Sequence, residues 1–315
     1  MNLGNLKRNI NAINSSPQYK HRGRLGLQNS TLKRVVNLYQ LKYANSVAQG
    51  FGDYLRGCFC LLQMAMKHNL RFDINFANHP ISQFLEIPEE QKEEKINYNQ
   101  VYRYMKDNLE KDHASFYNEF CRHLNMVYLP NYYLFCNSYP FARVNRLQRT
   151  IISSKFKPNN EMRDAIEHAL TDLQFREPYY TIHIRTGDKF ILQNNKMTDE
   201  IAAKIYFQIR EFIIPQRNYL LLSDNNELKA YLIKRFSNFR ALFKEITHLG
   251  ESKDPSANSV KNTLLDFFLM SKSKSVLSFS VYPHGTSFSE WCSELYNIPY
   301  HCIQLDVAKR SWMFE

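Results

Sequence analysis

The stretch Tyr179–Lys189, YYTIHIRTGDK, joins a strand pattern to a dense set of ionisable groups. Tyr180, Ile182 and Ile184 alternate with Thr181, His183 and Arg185, so one strand face is apolar and the other carries a hydroxyl, an imidazole and a guanidinium. Thr186-Gly187-Asp188 is a turn signal. It gathers Arg185, Asp188 and Lys189 at the carboxyl end of the strand, where open α/β sheets take their ligands. Two readings fit that edge: a site for an anion, or an Arg185–Asp188 ion pair that closes the strand.

Toward the C-terminus, helical and strand patterns alternate. Asp199–Ile213 reads as a helix, Tyr219–Leu222 as a strand ending at Ser223-Asp224, and Glu227–Arg235 as a helix. Asn262–Ser271, Ser275–Phe279 and Ser287–Tyr296 follow as helix, strand and helix. This alternation predicts a parallel sheet covered on both faces. Asp266 stands in LLDFFLM, on a helix apolar almost all the way round, where a carboxylate is costly unless something donates hydrogen bonds to it. A guanine edge, an arginine or an internal cap would each serve. Thr286-Ser287-Phe288-Ser289 opens the last helix, where hydroxyls and free amides can hold a phosphate while one hydroxyl caps the helix.

In the N-terminal half, residues 1–34 are polar and basic and read as a loose arm. Gln49-Gly50-Phe51-Gly52-Asp53 then leads into the amphipathic run Tyr54–Asn69, with Asp53 as the expected N-cap, and LRFDINF follows as a strand. Gly50 and Gly52 serve either a structural turn or the close approach of backbone amides to a phosphate. IPEEQKEEK is a solvated charge run, and Tyr98–Leu124 reads as helical. VYLPNYYLFCN carries one or two strands, RVNRLQR a helix, and Met162–Phe175 another helix.

The composition, 44% hydrophobic and 23% charged, is that of a folded globular protein, and a formal charge of +11 favours acidic partners. Cysteines 58, 60, 121, 136, 292 and 302 form no CxxC pair and read as reduced core residues. Asn14 and Asn29 begin glycosylation triplets that are frequent by chance in an Asn-rich chain. No run approaches the ~18 apolar residues of a membrane span, and no signal-peptide core is present. The expectation is a soluble, cytoplasmic chain.

HIRTGDK, LLLSDNNELKAYL, LLDFFLMSKSKSVLS and TSFSEWCSEL, in that order, resemble the fucosyltransferase superfamily with its H-x-R-x-x-D motif, and QGFGDYLRG looks like that superfamily's first glycine loop. The resemblance spans residues 49–296. It implies an α/β, GT-B architecture: an acceptor-side domain over 35–160 faces a nucleotide-sugar-binding domain over 161–315 across a cleft. Arg185 would bind the donor diphosphate, with Lys189 beside it, and His183 would contact the nucleotide or brace the loop. Asp266 would read guanine, Ser287 and Phe288 would hold phosphate and pack near the nucleotide, Asp224 would support the ribose, and Gly50 and Gly52 would close over the diphosphate.

This chain departs from the pattern where many relatives have a second arginine, here Thr186, and where some have a glutamate base, here Gln193. Asp53 and Asp188 are the remaining candidate bases, unless the leaving diphosphate takes the proton. The implied reaction is inverting, metal-independent transfer of fucose from GDP-fucose to a glycan acceptor. No Asp-x-Asp pair is present to hold a metal–diphosphate complex, and no cofactor is expected. Another UDP- or GDP-linked sugar, such as xylose, rhamnose or mannose, is the alternative donor. A basic nucleic-acid-binding module using Tyr98, Tyr102 and Tyr104 is the alternative class, though no nucleic-acid motif appears.

Overall fold

The structure, a computed structural model, describes residues 33–40, 42–43, 46–47, 49–104, 113–126, 130–175, 178–186, 197–250, 254–282 and 285–306. Strands β1 (Arg34–Leu38), β2 (Lys42–Tyr43) and β3 (Ser46–Val47) lead into the long helix α1 (Phe51–Lys67). β4 (Arg71–Asn75), the single turn α2 (Glu89–Lys92), β5 (Tyr102–Tyr104), α3 (His113–Met126) and β6 (Asn131–Cys136) follow. Then come α4 (Arg146–Ser153), α5 (Asn160–Asp172), β7 (Tyr180–Arg185), α6 (Asp199–Ile209), β8 (Tyr219–Ser223) and α7 (Asn226–Ile233). The chain closes with β9 (Phe239–Arg240), α8 (Ala257–Met270), β10 (Val276–Ser280), α9 (Ser287–Tyr296) and β11 (Tyr300–Gln304).

Two all-parallel sheets result. The first has the order β4-β1-β6-β5 and the second β11-β10-β7-β8-β9, while β2 and β3 form a small antiparallel pair. The second sheet places β7 at its centre. Ile182 and Ile184 enter one apolar cluster with α6, as their alternation predicts, and His183 and Arg185 project from the other face. Because β8 and β9 extend to one side and β10 and β11 to the other, a crevice opens beyond the carboxyl ends of β7 and β10.

Several expectations need correction. The arm assigned to 1–34 ends earlier, because Arg34 is the first residue of β1 and its guanidinium pairs with Asp73 and Glu94. Tyr98–Leu124 is not one helix: Tyr102–Tyr104 pairs with Leu134–Cys136, aromatic side chains being at home on a pleated edge. Helix α1 begins at Phe51 with Gly50 as its N-cap, since the Gly50 carbonyl already accepts from the Tyr54 amide at 2.9 Å. Asp53 therefore sits in the first turn. Four cysteines are core residues, whereas Cys121 is half-buried and Cys302, on an edge strand, is exposed. The two glycosylation triplets lie outside the described residues.

One apolar cluster joins elements of both sheets. Phe51, Tyr54, Leu55 and Phe59 of α1 pack with Ile152 and Phe156, with Leu264, Leu265 and Phe268 of α8, and with Trp291 and Leu295 of α9. Tyr39, from the end of β1, stacks on Tyr54 with ring centroids 4.3 Å apart. Glycine lets α1 come this close. A Cβ at Gly57 would stand 1.8 Å from the Cys136 carbonyl oxygen at the end of β6.

Gly57→Ala is expected to cost about 3 kcal/mol of stability, because backbone rather than a flexible side chain must yield. Urea unfolding of the two proteins measures this, and an unchanged midpoint would show that α1 can move off β6.

Candidate active site

A cavity of ≈ 400 Å³ lies at the carboxyl ends of β7 and β8 and at the starts of α1 and α9. Gly50, Gly52, Asp53, His183, Arg185, Asp224, Asp266, Ser287 and Phe288 all line it, so residues distant in sequence meet in one place. Asp188 and Lys189 lie outside the described residues.

The two helix starts touch through backbone. A Cβ on Gly52 would fall 2.2 Å from the Ser287 carbonyl carbon and oxygen and 2.5 Å from the Phe288 nitrogen. No side chain fits between them. Two sets of unpaired amide donors, each at the positive end of a helix dipole, therefore converge on one cavity. Thr286 is the N-cap of α9, its Oγ1 accepting from the Ser289 amide at 3.4 Å, as expected of one hydroxyl in that cluster.

Arg185 ends β7 and is held on one side by Asp224, with Nε 3.6 Å from Oδ2. Asp224 is itself fixed, because its Oδ1 accepts from the Thr186 amide at 3.0 Å and from the Thr186 hydroxyl at 2.7 Å. Thr186 thus positions the carboxylate that orients the guanidinium. His183 is buried, and burial draws its imidazole down to about 4; Asp224 opposes that shift and Arg185 adds to it. It is a neutral ring at physiological pH, with Nδ1 3.4 Å from Thr286 Oγ1. Phe51 and Phe288 line the cavity beside it, and Phe267 packs against both, 5.0 Å from Phe51 and 5.7 Å from Phe288, centroid to centroid.

Asp266 is 8% exposed and receives no hydrogen bond from any described residue. Neither an internal cap nor an arginine serves it there. Burial pushes its carboxyl up to about 6, opposed by the ammonium groups of Lys229 and Lys244. Asp53 Oδ1 pairs with the Arg56 guanidinium, 3.3 Å from Nη1, while its Oδ2 lies beside Gly50. Arg56 is pinned by a 2.5 Å bond to the Asn137 carbonyl and by the Tyr139 ring, whose centroid is 4.1 Å away.

Some lining residues escape sequence reasoning. Ile246, Thr247, His248 and Leu249 come from a segment with no periodic pattern. Thr263 lies three residues before Asp266, one turn away on the same helix face, and that spacing was a usable signal. Glu290, in the first turn of α9, is pushed up to about 7 by burial and by Asp53 and Glu294, against the pull of Arg56. Among the tyrosines considered for base stacking, Tyr104 is 2% exposed and unable to stack on a ligand.

The described residues include no helix long and apolar enough to cross a membrane and no group of three or more His, Cys, Asp or Glu side chains placed to hold a metal. No family model matches the chain, and no curated protein is similar to it in sequence. Its fold is that of solved fucosyltransferases. NodZ, an α-1,6-fucosyltransferase soaked with GDP-fucose, superposes with a TM-score of 0.54 at 13% identity, over 88% of this chain and 96% of that one. NodZ from Bradyrhizobium gives 0.53 at 13% identity over 87% and 96%. A variant of Arabidopsis thaliana FUT1 in complex with GDP gives 0.53 at 10% identity over 87% and 71%.

Asp266 burdens the fold at neutral pH. Its folded value, about 6, lies above the ordinary 3.8, so protonation favours the folded state, and the cost of the charge is complete above pH 6 and vanishes below the unfolded value. Asp266→Asn is expected to raise stability at pH 7 by about 2–3 kcal/mol, a gain that shrinks as pH falls toward 4. Denaturant unfolding at both pH values reads this, and equal stability at pH 7 would show that the carboxylate is not strained by burial.

Proposed function

We propose that this chain is an inverting glycosyltransferase that moves fucose from GDP-fucose to a glycan hydroxyl. In the GT-B manner, residues 161–315 bind the donor and 35–160 face the acceptor across the cavity. The observation that carries this reading is the convergence on one cavity of Arg185, two helix starts and an Asp266 that receives no hydrogen bond from any described residue. The donor class is supported by the fold shared with proteins whose structures hold GDP or were soaked with GDP-fucose.

The donor diphosphate occupies the positive end of the cavity, where the amides at the starts of α1 and α9 and the Arg185 guanidinium meet its charge. Asp266, as an anion, accepts from the two adjacent N–H groups of the guanine edge, and the Phe288 ring packs near the nucleotide. Asp224 keeps Arg185 in place and supports the ribose. His183, being neutral, braces the α9 start through Thr286 without adding charge.

In the reaction the acceptor hydroxyl oxygen attacks the anomeric carbon from the face opposite GDP. The new carbon–oxygen bond forms as the bond to the β-phosphate breaks, and the bonding pair leaves with GDP. Charge grows on the diphosphate, where the fixed donors are worth most. The acceptor proton passes to Asp53, to Asp188 or to the departing phosphate. Arg185, the amides and Lys189 supply the positive charge, so the scheme requires no metal.

Thermal melting with GDP, UDP, CMP and their sugar conjugates tests the donor. GDP at 100 times its Kd is expected to add about 2.7 kcal/mol of stability, with UDP and CMP species adding far less. A UDP-selective shift would retain the reaction class and remove GDP-fucose. Arg185→Ala is expected to lower kcat by roughly 10²–10³ with the fold intact, and an unchanged kcat would remove Arg185 from the transition state.

A further inference from the structure

Residues 241–248 form no helix or strand, yet their backbone is held from both sides. From α7, Asn226 Nδ2 donates to the Lys244 carbonyl at 3.2 Å and Lys229 Nζ to the Leu242 carbonyl at 2.8 Å. From α8, Asn262 Nδ2 donates to the Glu245 carbonyl at 2.8 Å. Thr263 Oγ1 meets both the Thr247 amide, at 3.1 Å, and its carbonyl, at 3.0 Å. Helical spacing puts the clamps on defined faces: Lys229 is three residues after Asn226, and Asp266 is three after Thr263 and four after Asn262. Lys229 and Asp266 therefore face the same clamped segment from opposite helices.

Both groups are buried, Lys229 at 2% exposure and Asp266 at 8%. Each charge alone would be costly there. The cationic groups facing Asp266 are Lys229 from α7 and Lys244 from the clamped segment. Lys229 also faces Asp224, so one buried ammonium serves two of the cavity's three aspartates, Asp53 being paired with Arg56. Lys244 is half-buried and divides its field among Asp266, Asp172 of α5 and the like charge of Lys261.

We propose that Lys229 is a positioning residue for donor specificity: anchored on the Leu242 carbonyl, it keeps Asp266 anionic, so that both carboxylate oxygens accept from a nucleobase edge with two adjacent N–H donors. This rests on the reading of Asp266 as the nucleobase contact. A protonated Asp266 would present one donor and one acceptor, and would no longer separate guanine from hypoxanthine, which lacks the 2-amino group. With Lys229 removed, burial acts on Asp266 opposed by Lys244 alone, and its titration moves up toward neutrality.

The test uses the full chain, wild type and Lys229→Met, with ¹³C-labelled aspartate. The Asp266 carboxyl signal, assigned by its loss in Asp266→Asn, is titrated without nucleotide, and GDP and IDP affinities are measured calorimetrically from pH 5 to 8. The wild-type preference for GDP over IDP is expected to fade only as pH drops through about 6. In Lys229→Met the Asp266 midpoint should rise by about one pH unit, and the preference should already be about twofold weaker at pH 7, where half of the carboxyl is then protonated. Lys229→Arg should restore the midpoint, which a packing defect would not explain. If Lys229→Met does not fold, Lys229→Gln, which removes the charge but keeps a donor for the Leu242 carbonyl, takes its place and should shift the titration in the same direction. An Asp266 titration unmoved in Lys229→Met, or in Lys229→Gln where that variant stands in, overturns the role of Lys229. A moved titration with no GDP binding by the wild type overturns the nucleobase reading instead.

Discussion

The contact on which the site depends is backbone against backbone: Gly52 at the start of α1 lies against Ser287 and Phe288 at the start of α9. Two positive helix ends repel each other, so the approach has to be enforced from elsewhere. Aromatic packing enforces it, with Phe51 edge-on to Phe267 and Phe267 edge-on to Phe288, directly behind the two helix starts. The apolar cluster thus holds the two positive helix ends side by side. A polar cavity of this kind is built by hydrophobic burial as much as by its charged lining.

Much of this was legible in the chain. The alternation in YYTIHIR fixes which face of β7 is core and which carries His183 and Arg185, and Ser287–Tyr296 is a helix over the expected residues. The residues singled out in distant motifs meet around one cavity wherever they are described. What stayed hidden has physical causes. β1 is short, begins at a charged residue and is central to its sheet, so a run buried on both faces shows no alternation. The segment 241–248 owes its shape to side chains donated by two helices, and nothing within it reports that. The α1 start was misjudged by three residues because glycine, not aspartate, caps it.

Charge in the cavity is arranged in opposition to burial. His183 is driven neutral and Asp266 is driven toward neutrality by the same low-dielectric surroundings, yet the cations Lys229 and Lys244 act only against the second shift. Asp224 opposes the first shift but Arg185 adds to it, so His183 stays neutral, whereas two cations act together on Asp266. The distinction separates a neutral ring beside Thr286 from a carboxylate whose charge two lysines support at the surface of the cavity.

The shared apolar cluster has a consequence for how such a chain can diversify. Helices α1, α8 and α9 bury their faces in one another although α1 runs beside the first sheet and α8 and α9 beside the second. Replacing all residues of one sheet and its helices by a foreign set would strip the other of its hydrophobic covering. Recombination of whole halves, an easy route to new specificity in modular proteins, is thereby penalised. New substrates must instead be reached by piecemeal substitution along the cavity rim, under a packing constraint inherited from both sides at once.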